Sequence, residues 1–527
     1  MTENPIATAV APGYVFDGPA LELGGLMTDA ETLTDVRIKI PIGMLNRHGL
    51  VAGATGTGKT KTLQLIAEQL SANGVPVFAA DMKGDLSGLA TPGTPSEKLS
   101  ARTASVGQQW TPASFPVQYF ALGAIGSGVP VRVSVETFGA TLLARVLELN
   151  DTQESSLGLV FHYAKSAGLR LVDLGDLRAV LTYLTSAEGK ADLAGLGGLS
   201  SATVGVILRE LIAFADQGAD AFFGQPEFDA AEFLVVEPDG RGRISLLELP
   251  NVADKPVVFS TFLMWLLADL QRTLPEVGDL DKPKLVFFFD EAHLLFDGAT
   301  KDFLDTIAQT VRLIRSKGVG VFFISQSPTD IHEDVLAQLG SRIQHQLRAN
   351  TPNDAKALKQ TVNTYPTSSY ADLGQVIQTL GIGEAIVTVM NERGAPTPVA
   401  WTRLRAPESL MGATDPATIA AAVKGSPLFA TYGVAVDPAD SAADTLGART
   451  AATRAAAQEA AEAEAEAKAA AKQAKADQAA SKKAHHAEEP HSPADSAMDI
   501  ATKLAKNKQV QREAIKAGRS LLKKLFK

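Results

Sequence analysis

Eight consecutive residues, Gly53, Ala54, Thr55, Gly56, Thr57, Gly58, Lys59 and Thr60, match G-x-x-x-x-G-K-[ST] at every defined position. Glycines in such a loop let the backbone curl until successive N–H groups and a following helix N-terminus face phosphate oxygens. Lys59 then reaches the β- and γ-phosphates of a nucleoside triphosphate, Thr60 completes the shell of a Mg2+ ion, and Lys61 continues the binding turn. A second group, Asp290 and Glu291, ends the apolar run KLVFFF. A carboxylate delivered by a buried strand suits the water shell of magnesium, which is the expected role of Asp290. Glu291, one residue further out, can orient and polarise an attacking water, so the pair points to hydrolysis of ATP to ADP and phosphate rather than transfer to an acceptor. His293, beside the pair, has no spaced partners for a metal and reads as packing.

These residues need elements to hold them. Residues 49–89 run from a short apolar strand through the glycine-rich turn into a helix with Leu63, Ile66, Ala67 and Leu70 at helical spacing, then into the strand PVFAAD. That is a βαβ unit, which joins parallel neighbours in a sheet buried on both faces. The Asp-Glu strand lies in 284–296, and a helix from about 301 to 316 leads to the strand GVGVFFISQ. Between the two parts, about 138–275 reads as a mostly helical insertion containing a short strand-and-turn piece at EFLVVEPDGRGRISLLELP. GEAIVTVMNERGAPTPVAW returns the chain to the core through a turn at Glu392 to Gly394.

The resulting plan is a leader with short strands over 1–45, an ATPase domain over 46–435, a linker rich in Ala, Glu and Lys over 436–497, and a basic amphipathic helix over 498–527. The linker can be helical by propensity, but it buries little and is expected to be a solvated helix or disordered. His485, His486 and His491 within it read as solvated. The last segment places nine Lys/Arg against Asp499 and Glu513 among residues such as Leu504, Ile515 and Leu521, suited to a membrane surface or a protein partner.

A formal charge of −10 therefore leaves −17 on the rest of the chain, which is no general polyanion binder, although a locally basic channel stays compatible with DNA. The absence of cysteine removes disulfides, thiolate metal sites and cysteine nucleophiles. The first residues lack the basic start and apolar stretch of a secretory signal and read as a loose leader. The run Val257–Leu270 is shorter than the roughly 20 residues that a bilayer needs, and reads as a buried helix. A cytoplasmic protein is the expectation.

GATGTGKT, DMKGDLSGL (81–89), FFFDEAHLLF (287–296), VRLIRSKGVGVFFISQSPTDI (311–331) and LGSRIQHQLRA (339–349) resemble the HerA/FtsK branch of P-loop ATPases. With NDTQ (150–153), FFGQPEF (222–228) and GEAIVTV (383–389), the chain looks most like the bacterial HerA helicase C-terminal-like family, over roughly 14–435. The resemblance implies an α/β fold of the P-loop NTPase, RecA-like type: a mainly parallel sheet flanked by helices, with a helical insertion and a helical C-terminal tail. It implies a homo-oligomer, a hexamer by analogy, acting as a DNA translocase or helicase. Gln326 would sense the γ-phosphate or, alternatively, cap the next turn. Asp81 would stand beside the nucleotide or cap the GDLSGL turn. Arg47 and Arg315, with Arg312, Arg342 and Arg348 in reserve, would complete a site in the same or a neighbouring subunit, since a planar guanidinium spreads stabilisation over several phosphoryl oxygens. A nucleotide-dependent switch or scaffold, recruiting a protein or membrane without translocating DNA, stays open beside the motor.

Overall fold

The computed structural model describes residues 4–28, 31–193, 195–249, 256–278, 280–296, 301–438 and 440–485. The expected basic helix at 498–527 lies outside them. Twelve strands build one sheet: β1 (Ala20–Met27), β2 (Thr32–Pro41), β3 (Gly49–Ala52), β4 (Val77–Asp81), β5 (Val117–Leu122), β6 (Val129–Val131), β7 (Ile244–Glu248), β8 (Leu285–Phe289), β9 (Val319–Ser325), β10 (Ser341–Gln344), β11 (Glu384–Thr388) and β12 (Ala400–Leu404). Their spatial order is β2-β1-β12-β11-β10-β3-β9-β8-β4-β7-β5-β6. From β10 to β6 every neighbouring pair is parallel. The other flank, β11, β12, β1 and β2, is antiparallel.

The central strands are buried throughout because helices cover both faces. All five residues of β8 and all seven of β9 are buried. Their rings form a ladder across the sheet, with centroid separations of 5.1 Å for Phe78–Phe287, 5.4 Å for Phe288–Phe322 and 5.7 Å for Phe289–Phe323. The helix Pro256–Thr273 buries Val258, Phe262, Leu266 and Leu270 at four-residue spacing. No helix among the described residues is long and apolar enough to cross a membrane.

Three expectations need correction. The piece ISLLE does not belong to the insertion: it is β7, paired in parallel with both β4 and β5 and buried at all five positions. The sequence reading gives a strand-and-turn piece there but not its place in the central sheet, and it does not include β5 and β6. The helical insertion proper comprises helices such as Asp151–Ser166, Leu174–Thr185 and Ser201–Asp216. NDTQ is a capping box there, with Asn150 Oδ1 accepting from the Gln153 amide at 3.1 Å and Gln153 Oε1 from the Asn150 amide at 3.0 Å.

Second, the loose leader is docked. A helix, Pro5–Val10, runs into a 3-10 turn ending at Tyr14, and Val10 and Tyr14 are buried. The Tyr14 hydroxyl lies 2.9 Å from the Val387 carbonyl and 2.8 Å from that of Pro398, and accepts from the Thr397 hydroxyl at 2.9 Å. A satisfied phenol of this kind anchors its segment without an unpaired polar group. Third, packing continues past 436. Ala442 and Leu446 are buried, and the amides of Ala442 and Ala443 donate to the Arg170 carbonyl and Asp176 Oδ1 at 2.9 and 2.8 Å. The compact unit ends at Ala448, and the residues from Arg449 form a separate unit. Through the latter the helix Ala442–His485 continues, with exposed side chains from Ala451 as far as Ser481.

Candidate active site

Parallel strands leave one sheet edge carrying all their C-terminal loops, and β3, β9, β8 and β4 bring the predicted residues to that edge. From β3 the loop 53–58 leads into the helix Lys59–Ala72. Its start is wired to the neighbouring strand ends: Gly53 N donates to the Ser325 carbonyl at 3.2 Å and Ala54 N to that of Gln346 at 2.8 Å. A Cβ on Gly53 would stand 2.5 Å from the Cβ of His345, so only glycine fits. Thr57 is buried and its hydroxyl donates to the Ala54 carbonyl at 2.7 Å. Thr55 and Gly56 are exposed at the tip, and Thr60 is half-buried in the first helical turn.

Lys59 is 8% exposed and its Nζ folds onto its own loop, donating to the carbonyls of Gly53 at 2.6 Å and Ala54 at 3.3 Å. Burial lowers its proton affinity, while the charges of Glu291 and Asp290 oppose that shift. Lys61, half-buried, is likewise lowered by burial and supported by Asp85 and Asp81. Beneath the loop lies His345, which sequence reading passed over: it is fully buried, its Nε2 is 2.9 Å from the Thr62 hydroxyl, and burial, then Lys59, push it down to about 3. It is a neutral strut.

Asp290 Oδ1 accepts from the Glu291 amide at 2.9 Å, and burial, then Glu291, raise its carboxyl to about 6. Glu291 turns the chain off β8 with φ of +48°, a left-handed conformation that costs a side-chain-bearing residue about 1–2 kcal/mol. Its Oε1 is ion-paired with Lys83. Its Oε2 lies 3.3 Å from His293 Nδ1 and is buried without a hydrogen-bond partner. Burial pushes this carboxyl up, but Lys83, His293 and Lys59 together hold it below its ordinary value. Lys83 is another residue that sequence reading missed, although DMKGD was in view.

Asp81 is the reason Lys83 stands there. Its Oδ1 accepts from the amides of Lys83 and Gly84 at 3.2 and 2.8 Å, and its Oδ2 from that of Leu86 at 2.8 Å. It caps the turn, the second of its two readings. Gln326 is exposed just beyond β9, lining a cleft of about 470 Å³ with His293, Phe296 and Asp330. The turn behind it is held by Asp330, whose Oδ2 accepts from the Ser325 hydroxyl at 2.7 Å and the Ser327 amide at 2.8 Å. Among the described residues no three His, Asp or Glu side chains cluster as a metal cage.

Arg47 and Arg315 do not join this group. Arg47 precedes β3 and Arg315 precedes β9, so both occupy the opposite edge of the sheet. Next to Arg47 in the chain, His48 is buried and accepts from the Val321 amide at 3.0 Å; burial lowers it to about 4, and the Arg315 charge adds to the shift. Arg312 is exposed on the helix Lys301–Ile314, Arg342 in β10 is bonded to Thr364, and Arg348 is exposed beyond the end of β10.

A family model described as helicase HerA-like C-terminal matches residues 27–527. The chain is 24% identical over 423 residues to probable helicase MJECL08 of Methanocaldococcus jannaschii, covering 76% of this chain and 73% of that protein. It is 22% identical over 364 residues to the DNA double-strand break repair helicase HerA of Sulfolobus acidocaldarius, covering 67% of this chain and 64% of that protein, just under two thirds of its length. Among solved structures, plasmid coupling protein TrwB, in complex with the GTP analogue GDPNP or with ADP and Mg2+, shares the fold. Each superposes with a TM-score of 0.50 at 16% identity, covering 76% of this chain and 99% of the other.

Proposed function

The chain belongs to the helicase HerA-like C-terminal family, and from that premise we propose that it is an ATP-hydrolysing motor that works as a ring of identical copies on DNA. The observation that carries this reading is the strand order β3-β9-β8, which sets the phosphate-binding loop, Gln326 and the Asp290–Glu291 pair side by side at one edge.

In this reading the N–H groups of residues 54–60 and the Lys59 ammonium bind the β- and γ-phosphates. Lys59 exchanges the carbonyls of Gly53 and Ala54 for phosphate oxygens, which are stronger, charge-assisted acceptors. Thr60 and Asp290 hold Mg2+, and the buried carboxyl of Asp290, whose charged form burial disfavours, fits a divalent partner. Bound Mg2+ neutralises charge on the phosphate oxygens. Glu291 Oε1 is tied to Lys83, which leaves Oε2 to accept a hydrogen bond from the attacking water. A carboxylate held ionised in this way is a weak base and acts mainly by orienting that water. Gln326 can donate its amide to the γ-phosphate and accept from the same water. The relatives named as helicases supply the argument for DNA as the track.

Substitution separates binding from chemistry. Lys59→Ala should abolish ATP binding, whereas Glu291→Gln should bind ATP and lower hydrolysis by two orders of magnitude or more, roughly the value of a positioned water-activating group. Equal loss of ATP affinity in both would make Glu291 structural. DNA should stimulate hydrolysis with a steep salt dependence, and an ATPase indifferent to DNA would remove the motor from this reading.

A further inference from the structure

The two flanks of the phosphate-binding loop are unlike. On one side of β3 lie β9 and β8 with Gln326, Asp290 and Glu291, so the γ-phosphate end of a nucleotide belongs there. The nucleoside must leave on the other side, over the ends of β10 and β11. There the turn Gly381-Ile382-Gly383 enters β11, and it touches the loop directly: Gly383 N donates to the Thr57 carbonyl at 3.0 Å, and a Cβ on Gly58 would be 3.3 Å from Gly383 N.

This turn is braced from every side. Arg102 donates to the Gly383 carbonyl and, at 3.0 Å, to that of Leu404. Gly381 N donates to Glu384 Oε2 at 3.0 Å, and Glu384, itself buried, accepts further from Trp401 Nε1 at 3.1 Å and Arg403 at 3.1 Å. Gly383 has a φ of +73°, and a Cβ there would stand 2.7 Å from Arg102 Nη2. The outcome of all this bracing is an isoleucine, Ile382, left 79% exposed to water. A rigid turn that presents a large apolar side chain beside a phosphate loop, on the side where the nucleoside departs, is a preformed contact for an apolar ring.

We propose that Ile382 packs against the base of the bound nucleotide. The inference rests on the proposed nucleotide site and adds its base contact. The side chain offers neither donor nor acceptor, so it grips any purine face and discriminates little between ATP and GTP.

The test compares the full chain with Ile382→Ala, Ile382→Leu and Lys59→Ala, each titrated with a non-hydrolysable ATP analogue and with inorganic tripolyphosphate, which has no base. Ile382→Ala should weaken the analogue by roughly tenfold, as expected for several methylenes returned to water. Tripolyphosphate affinity should not move, and Ile382→Leu should bind both like the parent. An equal loss for tripolyphosphate would mean that the turn only props the loop, and unchanged affinity for the analogue would mean that Ile382 meets something other than the base. Either result overturns the proposal. If Lys59→Ala binds both compounds like the parent, the fault lies with the nucleotide site itself, and the base contact falls with it.

Discussion

Glu248 ends β7 directly beside Asp81 on β4, with Oε1 buried and without a hydrogen-bond partner. Burial, then the neighbouring Asp81, raises its carboxyl to about 7. The native state therefore holds this proton more tightly than the unfolded chain does. Stability from Glu248 is present below about pH 4.5 and is lost as pH rises to about 7, a difference of order 2–3 kcal/mol. Glu248→Gln should thus raise the Tm of the nucleotide-free protein by a few degrees at pH 8 and leave it nearly unchanged at pH 4.5. Thermal unfolding at the two pH values checks this; an equal shift at both would show that ionisation of Glu248 is not what matters. The same edge shows why residue types alone were an incomplete guide. Lys59, Asp290 and Glu291 were legible because their spacing from apolar runs has a known chemistry. Lys83 and His345 were not, because their roles come from what the fold sets opposite them: Glu291 in one case, Gly53 and Thr62 in the other.

At the scale of elements, the C-terminal boundary is set by packing rather than composition. Alanine-rich sequence begins near 436, yet Ala442 and Leu446 are buried and the first turn of the long helix bonds to Arg170 and Asp176. A chain ending at Ala448 should keep the melting temperature and ATP affinity of the full protein, whereas one ending at Val436 should melt several degrees lower. Two buried side chains and two hydrogen bonds are together worth about 3–5 kcal/mol. Calorimetry of the two truncations decides it, and equal stability would place the boundary back at 436. A similar lesson holds for β7. Buried on both faces, ISLLE carries no alternation, and nothing local distinguishes a central parallel strand from a short apolar stretch inside a helical region.

Across the whole molecule the two edges of the sheet divide the machinery. Arg47 and Arg315 lie before β3 and β9, while the phosphate loop and Gln326 follow them. The four residues of β3 alone separate the edges by roughly 13 Å. Neither arginine can serve the site of its own chain, so any contribution to phosphoryl transfer must come from a neighbouring copy. Arg315→Ala should lower hydrolysis by about a thousandfold or more while ATP binding persists, if its guanidinium stabilises transition-state charge. Mixing it with Lys59→Ala, whose arginines are intact, should restore part of the activity in mixed assemblies. Failure to restore it where mixed oligomers form would rule out that role.

The sequence by itself determined the family and the α/β class, and it picked out the candidate phosphate loop and the Asp-Glu pair proposed to work with it. Each of these is encoded locally, in a fixed spacing of glycine, lysine and carboxylate against short apolar strands. Tertiary structure alone decided that the N-terminal segment docks through Tyr14 and that β7 joins the sheet. It also decided that Arg47 and Arg315 lie on the edge opposite the site and that Ile382 stands bare beside it. The physical reason is common to all four: each depends on contacts between residues far apart in the chain, or on which sheet edge a residue reaches. Strand order and direction settle those matters, and no local pattern of residues states them.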